Sequence, residues 1–238
     1  MLIWKKRKKV TVDAFTHSDV IAMNPIVPTS KLMPDWLKKL KTTIETNEGG
    51  LFNKMPTFKR CDGLVDLMKD TFILPMWADL SVVVTPDGRW HYKYPSAIYD
   101  YNLQEFPGML MDDAFSPNIH IKINAPWLLE EKTGVNFFQT QALYSHNKIA
   151  NDMIIPPGII NYKYQKSVNI NTFMKRGKSF FFPAGMPMCY LVPMTEYDVE
   201  IKTHIVSMEE YRRKDQATAV HKFMGGYKDL KAKGGCPL

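Results

Sequence analysis

Cysteine is scarce in this sequence, and long apolar runs are missing from it. The three cysteines among 238 residues, Cys61, Cys189 and Cys236, are odd in number and widely spaced. This spacing predicts free thiols in a reducing compartment and argues against a disulfide framework or a zinc site.

No window approaches the ~18 to 20 uninterrupted apolar residues of a membrane-spanning helix. At the N-terminus charge follows the apolar residues, whereas a secretory signal places charge first. The sequence therefore predicts neither membrane insertion nor export.

Complete catalytic motifs are missing as well. The sequence has no Gly-x-Ser-x-Gly elbow, no Gly-x-x-x-x-Gly-Lys phosphate loop and no His-Glu-x-x-His helix, which are typical of hydrolases, nucleotide triphosphatases and zinc proteases. The neighbouring carboxylates in Asp112-Asp113 and Glu130-Glu131 would point to opposite faces of a strand. Neither pair is therefore a ready-made site for two-carboxylate chemistry, and we expect solvated turns at both. We predict no catalytic residue and no cofactor.

Positive charge is abundant, but it is concentrated at the two ends of the chain. The formal net charge is +7, with the excess of Lys and Arg in residues 1–45 and 205–238. The N-terminal run Lys5, Lys6, Arg7, Lys8 and Lys9 is a candidate contact for nucleic-acid phosphates, because clustered cations release counterions on binding. Short charged runs at a chain end are also often simply solvated, and no DNA-binding or RNA-binding signature accompanies this one.

Alternation of apolar and polar residues predicts a mainly β fold. The clearest example is Asn118–Asn124, where three isoleucines share one face and polar residues share the other. Leu80–Thr85 and Arg89–Tyr94 read as a hairpin joined by the turn Pro86-Asp87-Gly88. Further strands are expected at Val10–Phe15 and near 135–144, 167–173, 178–183, 187–192 and 198–206.

Helical spacing is confined to the regions before and after these strands. Helices are expected from Pro34 to about Glu45, from Cys61 to Asp70 with Leu64, Val65, Leu67 and Met68 turned inward, and from a Ser207 cap to about Met224 before Gly225-Gly226. The 45% apolar content is enough for a sizeable core. We predict one α+β, mainly β domain over 1–238, with a strand and helices in 1–70, a single antiparallel barrel or sandwich in 72–206, and a C-terminal helix within 207–230.

A local pattern over residues 154–192 resembles a known fold. Pro157-Gly158-Ile159-Ile160-Asn161-Tyr162-Lys163-Tyr164, a strand pair and the glycine turn in Phe182–Met188 resemble the dUTPase-like β-clip pattern. The resemblance implies a β-clip or jelly-roll-like fold. Where that family has the carboxylate that activates water, this chain has Asn161, whose amide cannot act as a general base. A retained nucleotide pocket without hydrolysis stays open as an alternative.

A second resemblance covers nearly the full chain. Its motifs, in order, are Pro34-x-Trp36, Lys59-x-Cys61, Leu74-Pro75-Met76-Trp77-x-Asp79-Leu80, Ala125-Pro126-Trp127, Pro157–Gln165 and Pro183-x-Gly185-x-Pro187. This order resembles an uncharacterised family of proteins from large tailed phages that infect marine bacteria. The resemblance implies a viral protein acting in the host cytoplasm or the virion, and it implies no mechanism.

Two sets of residues are candidates for a site. Aromatic rings with a few polar groups are the usual lining of a ligand pocket. We predict that residues of this kind line one shared cleft, namely Trp90, Trp127, Tyr144, His146, Asn161, Tyr162 and Tyr164. The alternative is that Trp127 and one of the tyrosines belong to the core and that Asn161 holds a turn. His17-Ser18-Asp19 matches half of a two-His, one-carboxylate iron site, although surface or capping roles for both residues are simpler.

The first functional hypothesis is therefore a non-enzymatic binding or interaction module. Its partner would be another protein or a second copy of the chain, with nucleic acid at the basic N-terminus as a weaker alternative and no membrane. The enzymatic alternatives are an iron-dependent oxygenase that uses His17 and Asp19, or a degenerate dUTPase-like nucleotide-binding protein with its site around Asn161.

Overall fold

The structure is a computed structural model, and it describes residues 8–45, 54–94, 103–104, 116–145 and 148–223. The described strands are β1 (Lys9–Thr16), β2 (Val27–Pro28), β3 (Thr43–Glu45), β4 (Lys54–Pro56), β5 (Phe72–Pro75), β6 (Leu80–Val84), β7 (Trp90–Lys93), β8 (Leu103–Gln104), β9 (Asn118–Glu131), β10 (Asn136–Gln141), β11 (Met153–Ile154), β12 (Gly158–Asn161), β13 (Ser167–Lys175), β14 (Lys178–Phe182), β15 (Pro187–Pro193) and β16 (Asp198–Ile205). The α-helices are α1 (Asp19–Ala22), α2 (Asp35–Lys39), α3 (Asp62–Lys69) and α4 (Met208–Phe223), with 3₁₀ turns at Thr29–Leu32, Phe58–Arg60, Leu143–Ser145 and Lys148–Asn151.

The strands form two larger sheets and two smaller ones. Sheet I has the order β11-β13-β9-β1-β16, with β8 also beside β9, and sheet II has the order β12-β10-β15-β5-β2. Sheet III is β14-β6-β7, and β3 and β4 form a separate two-stranded sheet. In the described part of the chain every sheet is open, so of the two predicted architectures the sandwich is the one observed, within an α+β, mainly β fold.

One strand pair departs from the antiparallel arrangement that the sequence predicts. β16 runs parallel to β1, with Lys9 opposite Asp198 and Thr16 opposite Ile205. The chain reaches β16 from β15 through residues 194–197, which cross from sheet II to sheet I. Parallel neighbours need such a crossover, because a hairpin can only return antiparallel.

Sheets I and II pack face to face around a shared core. Val12 and Ala14 of β1 turn inward, as do Leu74 of β5 and Leu191 of β15, and all four are fully buried in the same apolar cluster. Sheet III adds Leu80, Val82, Val84, Phe180 and Phe182 to this cluster. The alternating residues seen in the sequence are therefore the ones that fill the sandwich.

Two glutamines of β10 connect the sheets across this core. Gln139 Nε2 donates to the backbone oxygen of Asn169 at 3.0 Å. Gln141 Nε2 donates to the backbone oxygen of Met153 at 3.3 Å, and its Oε1 accepts from the backbone N–H of Ile155 at 3.1 Å. Buried amides with such partners specify how the two sheets align, because a shifted alignment would leave polar groups unpaired.

The cysteines of the described residues are free thiols, as predicted. Cys61 is exposed and Cys189 is buried, while Cys236 lies outside the described residues. Burial raises the pKa of the Cys189 thiol to about 12. The thiol therefore stays protonated at physiological pH and behaves as a small apolar core group.

The hairpin and the C-terminal helix form as predicted. Gly88 has a φ of +88°, and the Thr85 backbone N–H donates to the oxygen of Arg89 at 2.8 Å, which closes the turn between β6 and β7. Ser207 Oγ accepts from the backbone N–H of Glu210 at 3.1 Å and caps α4. Helix α4 is described as far as Phe223, so its predicted end at Met224 and Gly225-Gly226 lies outside the described residues.

The predicted helix from Pro34 to Glu45 is much shorter in the structure. Helix α2 ends at Lys39, because Leu40 takes an extended conformation with φ −62° and ψ 130°. Thr43–Glu45 then pairs antiparallel with Lys54–Pro56. Two threonines followed by Ile44 favour a strand over a helix, so β propensity combined with pairing overrides the helical spacing.

Helices cover the outer faces of both larger sheets. On sheet I, α4 places Lys214 Nζ 3.9 Å from the centre of the Phe15 ring and 3.5 Å from Glu130 Oε2. The Tyr211 ring lies 4.8 Å from the ring of His17. On sheet II, the outer face is covered by α2, α3 and the 3₁₀ turns Thr29–Leu32 and Phe58–Arg60. We call these four segments the helical layer. Among the described residues no helix is both long and apolar enough to span a bilayer.

Candidate functional site

The helical layer has a small core of its own against sheet II. Ile73 of β5 and Tyr190 of β15 point to the outer face of the sheet, and both are buried there. They pack in one cluster with Leu37, Leu64, Met68 and Ala142. Trp36 closes one side of the layer, because its Nε1 donates to the backbone oxygen of Tyr144 at 2.8 Å.

An apolar groove opens on the surface of this layer. Its volume is about 330 Å³, and its lining is almost entirely apolar. The residues that line it are Ser30, Met33, Leu37, Lys59, Leu64, Val65, Met68 and Lys69. They come from both helices and both 3₁₀ turns, so the groove exists only when the whole layer is assembled.

Part of the groove wall results from an apolar residue that the core does not use. The sequence predicts that Leu64, Val65, Leu67 and Met68 all turn inward. Leu64 and Met68 are buried, but 44% of Val65 is exposed, so the prediction is wrong for Val65. A helix can bury only one stripe against a neighbouring layer. A surplus of apolar residues on a short helix is the signal that could have indicated the groove.

Two lysines flank the apolar lining. Lys59 Nζ donates to the backbone oxygen of Lys38 at 3.0 Å, which holds its ammonium group beside the groove. Lys69 follows Met68 at the end of α3 and is exposed. The surroundings are also basic, since residues 29–45 and 54–70 contain eight Lys or Arg against five Asp or Glu. The groove thus combines an apolar floor with a positive rim.

A second concavity is smaller and more polar. It has a volume of about 200 Å³ and lies between β2, β5 and the start of β16. Lys69, Asp70, Tyr197 and Asp198 contribute to its lining. Because its lining is more polar than that of the groove, filling it removes less apolar surface from water than filling the groove does.

The seven residues predicted to line a cleft lie in different parts of the structure. Trp127 and Tyr162 are fully buried in the sandwich core. Tyr144 packs against the helical layer from the turn Leu143–Ser145, with its ring 5.8 Å from that of Phe58. Trp90 stacks on Tyr92 at 5.8 Å in sheet III.

Three residues of the predicted set remain, namely Tyr164, His146 and Asn161. Tyr164 lies in the turn after β12, where Lys163 Nζ is 5.7 Å from the centre of its ring. His146 lies outside the described residues. Of the members of the predicted set that the structure describes, Tyr144 is the one in contact with the layer that contains the groove.

Asn161 has a defined structural role. Its Nδ2 donates to the backbone oxygen of Gly134 and to Asn136 Oδ1, both at 2.9 Å, and its Oδ1 accepts from the backbone N–H of Lys163 at 3.1 Å. The residue is buried. The amide thus holds the turn after β12 against the turn after β9, as the alternative interpretation of the sequence proposed.

The hydroxyl group of Tyr162 allows a direct test of its role. Its ring packs 5.2 Å from Phe137, and its Oη is buried without a hydrogen-bond partner among the described residues. Burial raises the pKa of the phenol far above its usual range. We expect Tyr162→Phe to raise the free energy of unfolding by about 1 kcal/mol, because a buried unpaired hydroxyl is removed and the ring stays. Urea denaturation measures this, and a clear loss of stability would show that the hydroxyl has a partner.

The basic N-terminal run is only partly described. Lys5, Lys6 and Arg7 lie outside the described residues. Lys9 Nζ lies 2.5 Å from Glu200 Oε2, and Lys8 Nζ is 5.9 Å from the centre of the Tyr197 ring. The hydrogen bond from Lys9, together with that from Thr11, lowers the pKa of Glu200 to about 2. Lys9 thus has an acidic partner within the chain, and the nucleic-acid contact stays a prediction.

The His17-Ser18-Asp19 motif does not gather metal ligands around it. His17 packs against Tyr211, and Asp19 is the first residue of α1. Within the described residues no group of three or more His, Cys, Asp or Glu side chains is arranged to hold a metal ion. Asp19 is exposed and His17 is half-buried, and no side-chain hydrogen bond caps α1 at Ser18. The iron-site alternative stays a prediction.

No protein-family model matches the chain, and no curated protein matches it. The resemblances to a phage family and to the β-clip pattern therefore stay predictions.

Proposed function

We propose that the protein is a non-enzymatic interaction module, and that its groove binds an amphipathic α-helix of a partner protein with acidic residues beside the apolar face. The observation that carries this proposal is the apolar groove of about 330 Å³ between Lys59 and Lys69 on the helical layer. Apolar area of this kind is favourable to bury and costly to leave in water.

The shape and chemistry of the lining favour a helix as the occupant. A volume near 330 Å³ accepts two or three apolar side chains, which an amphipathic helix presents at positions i, i+3 and i+4. Met33 and Met68 lie in the lining. Methionine has an unbranched, polarisable side chain that adapts to different apolar partners.

The charges favour an acidic partner. Lys59 and Lys69 flank the groove, and the whole layer carries an excess of basic residues. Glu or Asp beside the apolar face of a helix would meet these ammonium groups at the rim of the interface, where charge complementarity promotes association and selects the partner. In the setting implied by the phage-family resemblance, the partner is a protein of the infected host cytoplasm or of the virion.

Two synthetic helical peptides test the proposal. Both have leucines at i, i+3, i+4 and i+7, and one has glutamates at the flanking positions where the other has lysines. We expect fluorescence anisotropy to show that the chain binds the Glu peptide at least about tenfold more tightly than the Lys peptide. Equal affinity for both peptides, or no binding of either, would contradict the proposal.

Variants locate the binding on the chain. Val65→Asp places a carboxylate in the groove at a side chain that is already exposed, so we expect the fold to persist and the affinity for the Glu peptide to fall by about tenfold or more. Phe138→Asp is the matched control, because Phe138 is also an exposed apolar residue but lies on β10. An equal loss for both variants would indicate non-specific apolar binding.

A further inference from the structure

Among the described strands, β16 is one of the two edges of sheet I. It has eight residues, it pairs with β1 on one side, and it ends the strand order of the sheet. Its pairing with β1 is regular from Asp198 to Ile205, without a bulge. Long, regular edge strands invite pairing with another strand, and proteins usually block them with proline, bulges or charge.

The backbone hydrogen bonds show which groups face outward. The N–H of Asp198 donates to Lys8 and the N–H of Val206 donates to Thr16, both at 2.9 Å. Because backbone groups alternate between the two sides of a strand, the even-numbered residues face β1. The N–H and C=O groups of Val199, Ile201, Thr203 and Ile205 therefore point away from the sheet. In the described part of the chain no backbone hydrogen bond reaches that side.

The side chains of β16 form a self-complementary pattern of charge. Asp198, Glu200, Lys202 and His204 share the face of the sheet on which Thr11 and Asp13 contact the strand. The order along that face is two acidic residues followed by two basic ones, symmetric about Ile201. A second β16 that runs antiparallel and is centred on Ile201 places Glu200 opposite Lys202 of the other copy, and Asp198 opposite His204.

The same pattern excludes the neighbouring registers. A shift of two residues in one direction places Glu200 opposite Glu200 of the other copy, and a shift in the other direction places Lys202 opposite Lys202. Like charges directly opposite each other destabilise a strand pair. A shift of the register by one residue places the charged residues of one copy on the side of the joined sheet where the other copy has Val199, Ile201 and Thr203. The charged residues also fall at the non-hydrogen-bonded positions, where facing side chains are closest.

From these observations we infer that β16 is a self-association surface, through which two copies of the chain join their sheets I by antiparallel pairing centred on Ile201. The pairing is isologous, so one two-fold axis generates it and the assembly closes as a dimer. About six backbone hydrogen bonds form between Val199–Thr203 of one copy and the same segment of the other. On this face α4 contacts His17, Phe15 and Glu130, and the Phe15 ring stacks on that of His204 at 5.1 Å.

The existing ion pairs of Glu200 and Lys202 do not prevent this pairing. Lys202 Nζ lies 3.2 Å from Glu200 Oε1 of the same strand, and more than half of the Lys202 side chain is exposed. Exposed ion pairs contribute little to stability, so Lys202 exchanges one glutamate for another at small cost. Lys9 remains beside Glu200 in either state.

Charge-reversal variants of the full chain test the inference. Sedimentation velocity over a dilution series should show a dimer for the unchanged chain. For Glu200→Lys and for Lys202→Glu we expect a dissociation constant at least about tenfold larger, because each variant places like charges opposite each other. An equimolar mixture of the two variants restores unlike pairs at both positions and should recover the dimer. A chain that is monomeric throughout, single variants that associate normally, or a mixture that stays monomeric would overturn the inference.

A backbone variant provides an independent control. The Thr203 N–H faces outward and its side chain is exposed, so Thr203→Pro removes a hydrogen bond between copies without removing one to β1. We expect Thr203→Pro to be monomeric with unchanged circular dichroism, and Thr203→Ala to remain a dimer. A dimer that persists in Thr203→Pro would contradict the pairing.

Discussion

Replacing Glu131 with alanine is expected to lower the free energy of unfolding by about 3 kcal/mol, because its buried carboxylate organises the turn between β9 and β10. The residue is only 1% exposed. Its Oε1 accepts from the backbone N–H of Thr133 at 2.6 Å and from the Thr133 hydroxyl, and its Oε2 accepts from the N–H groups of Gly134 at 2.6 Å and Val135 at 2.9 Å. Alanine leaves the buried N–H of Val135 without its acceptor. Urea denaturation followed by circular dichroism measures the loss.

Two further variants separate this effect from the loss of side-chain volume. Glu131→Gln keeps the shape but turns an NH₂ group toward donors, so we expect it to cost about 2 kcal/mol. Glu130→Ala removes the neighbouring carboxylate, which lies on the outer face beside Lys166 and Lys214. Because those ion pairs are partly exposed, we expect a cost below about 1 kcal/mol. A neutral Glu131→Gln variant would contradict the proposed role of the acceptor oxygens.

Replacing Trp127 with alanine is expected to cost about 3 to 5 kcal/mol of unfolding free energy in the absence of any ligand. Trp127 is 0% exposed and packs in the core between the sheets. Its Nε1 is buried without a hydrogen-bond partner among the described residues, so the loss comes from packing and from the cavity. Thermal and urea unfolding measure it.

Phe138 is the control for Trp127. It lies on β10 but points to the outer face of sheet II and is partly exposed. We expect Phe138→Ala to cost about 1 kcal/mol or less, because much of the ring is already in water. Equal effects for the two variants would mean that Trp127 is not a core residue, and would return it to the set of candidate ligand contacts.

The strands are the part of the fold that local pattern predicted best. Ile119, Ile121 and Ile123 alternate with polar residues in the sequence, and all three are buried on the inner face of β9. The buried and exposed faces of a strand can be predicted from its own residues, because side chains alternate between the two faces whatever the neighbouring strand is. The turn at Gly88 was equally local, since proline and glycine set the backbone angles there.

The errors occurred where distant segments compete with local preference. Helix α2 is shortened because Ile44 pairs with Met55 of β4, a partner that helical spacing does not reveal. The pair Glu130-Glu131 points to opposite faces as expected, but the solvated turn predicted there is wrong, since Glu131 is buried among backbone donors. The other pair, Asp112-Asp113, lies outside the described residues. Burial of a charge depends on which groups the fold brings to it.

Both proposed surfaces also required the assembled structure. The groove consists of side chains from segments near Met33, Lys59 and Met68, which meet only when the helical layer covers sheet II. The self-complementary order from Asp198 to His204 is present in the sequence. Its meaning depends on β16 being an edge strand that is parallel to β1, which leaves the backbone groups of Ile201 facing outward.

The sequence by itself determined the class of the fold, the positions of most strands and the residues that fill the core. These follow from backbone sterics and side-chain alternation, which act over a few residues. Only the tertiary structure decided which strands are neighbours, which apolar residues stay at the surface and where the groove and the free edge lie. Those outcomes depend on contacts between segments far apart in the chain, and their energies are comparable to the local preferences that they override.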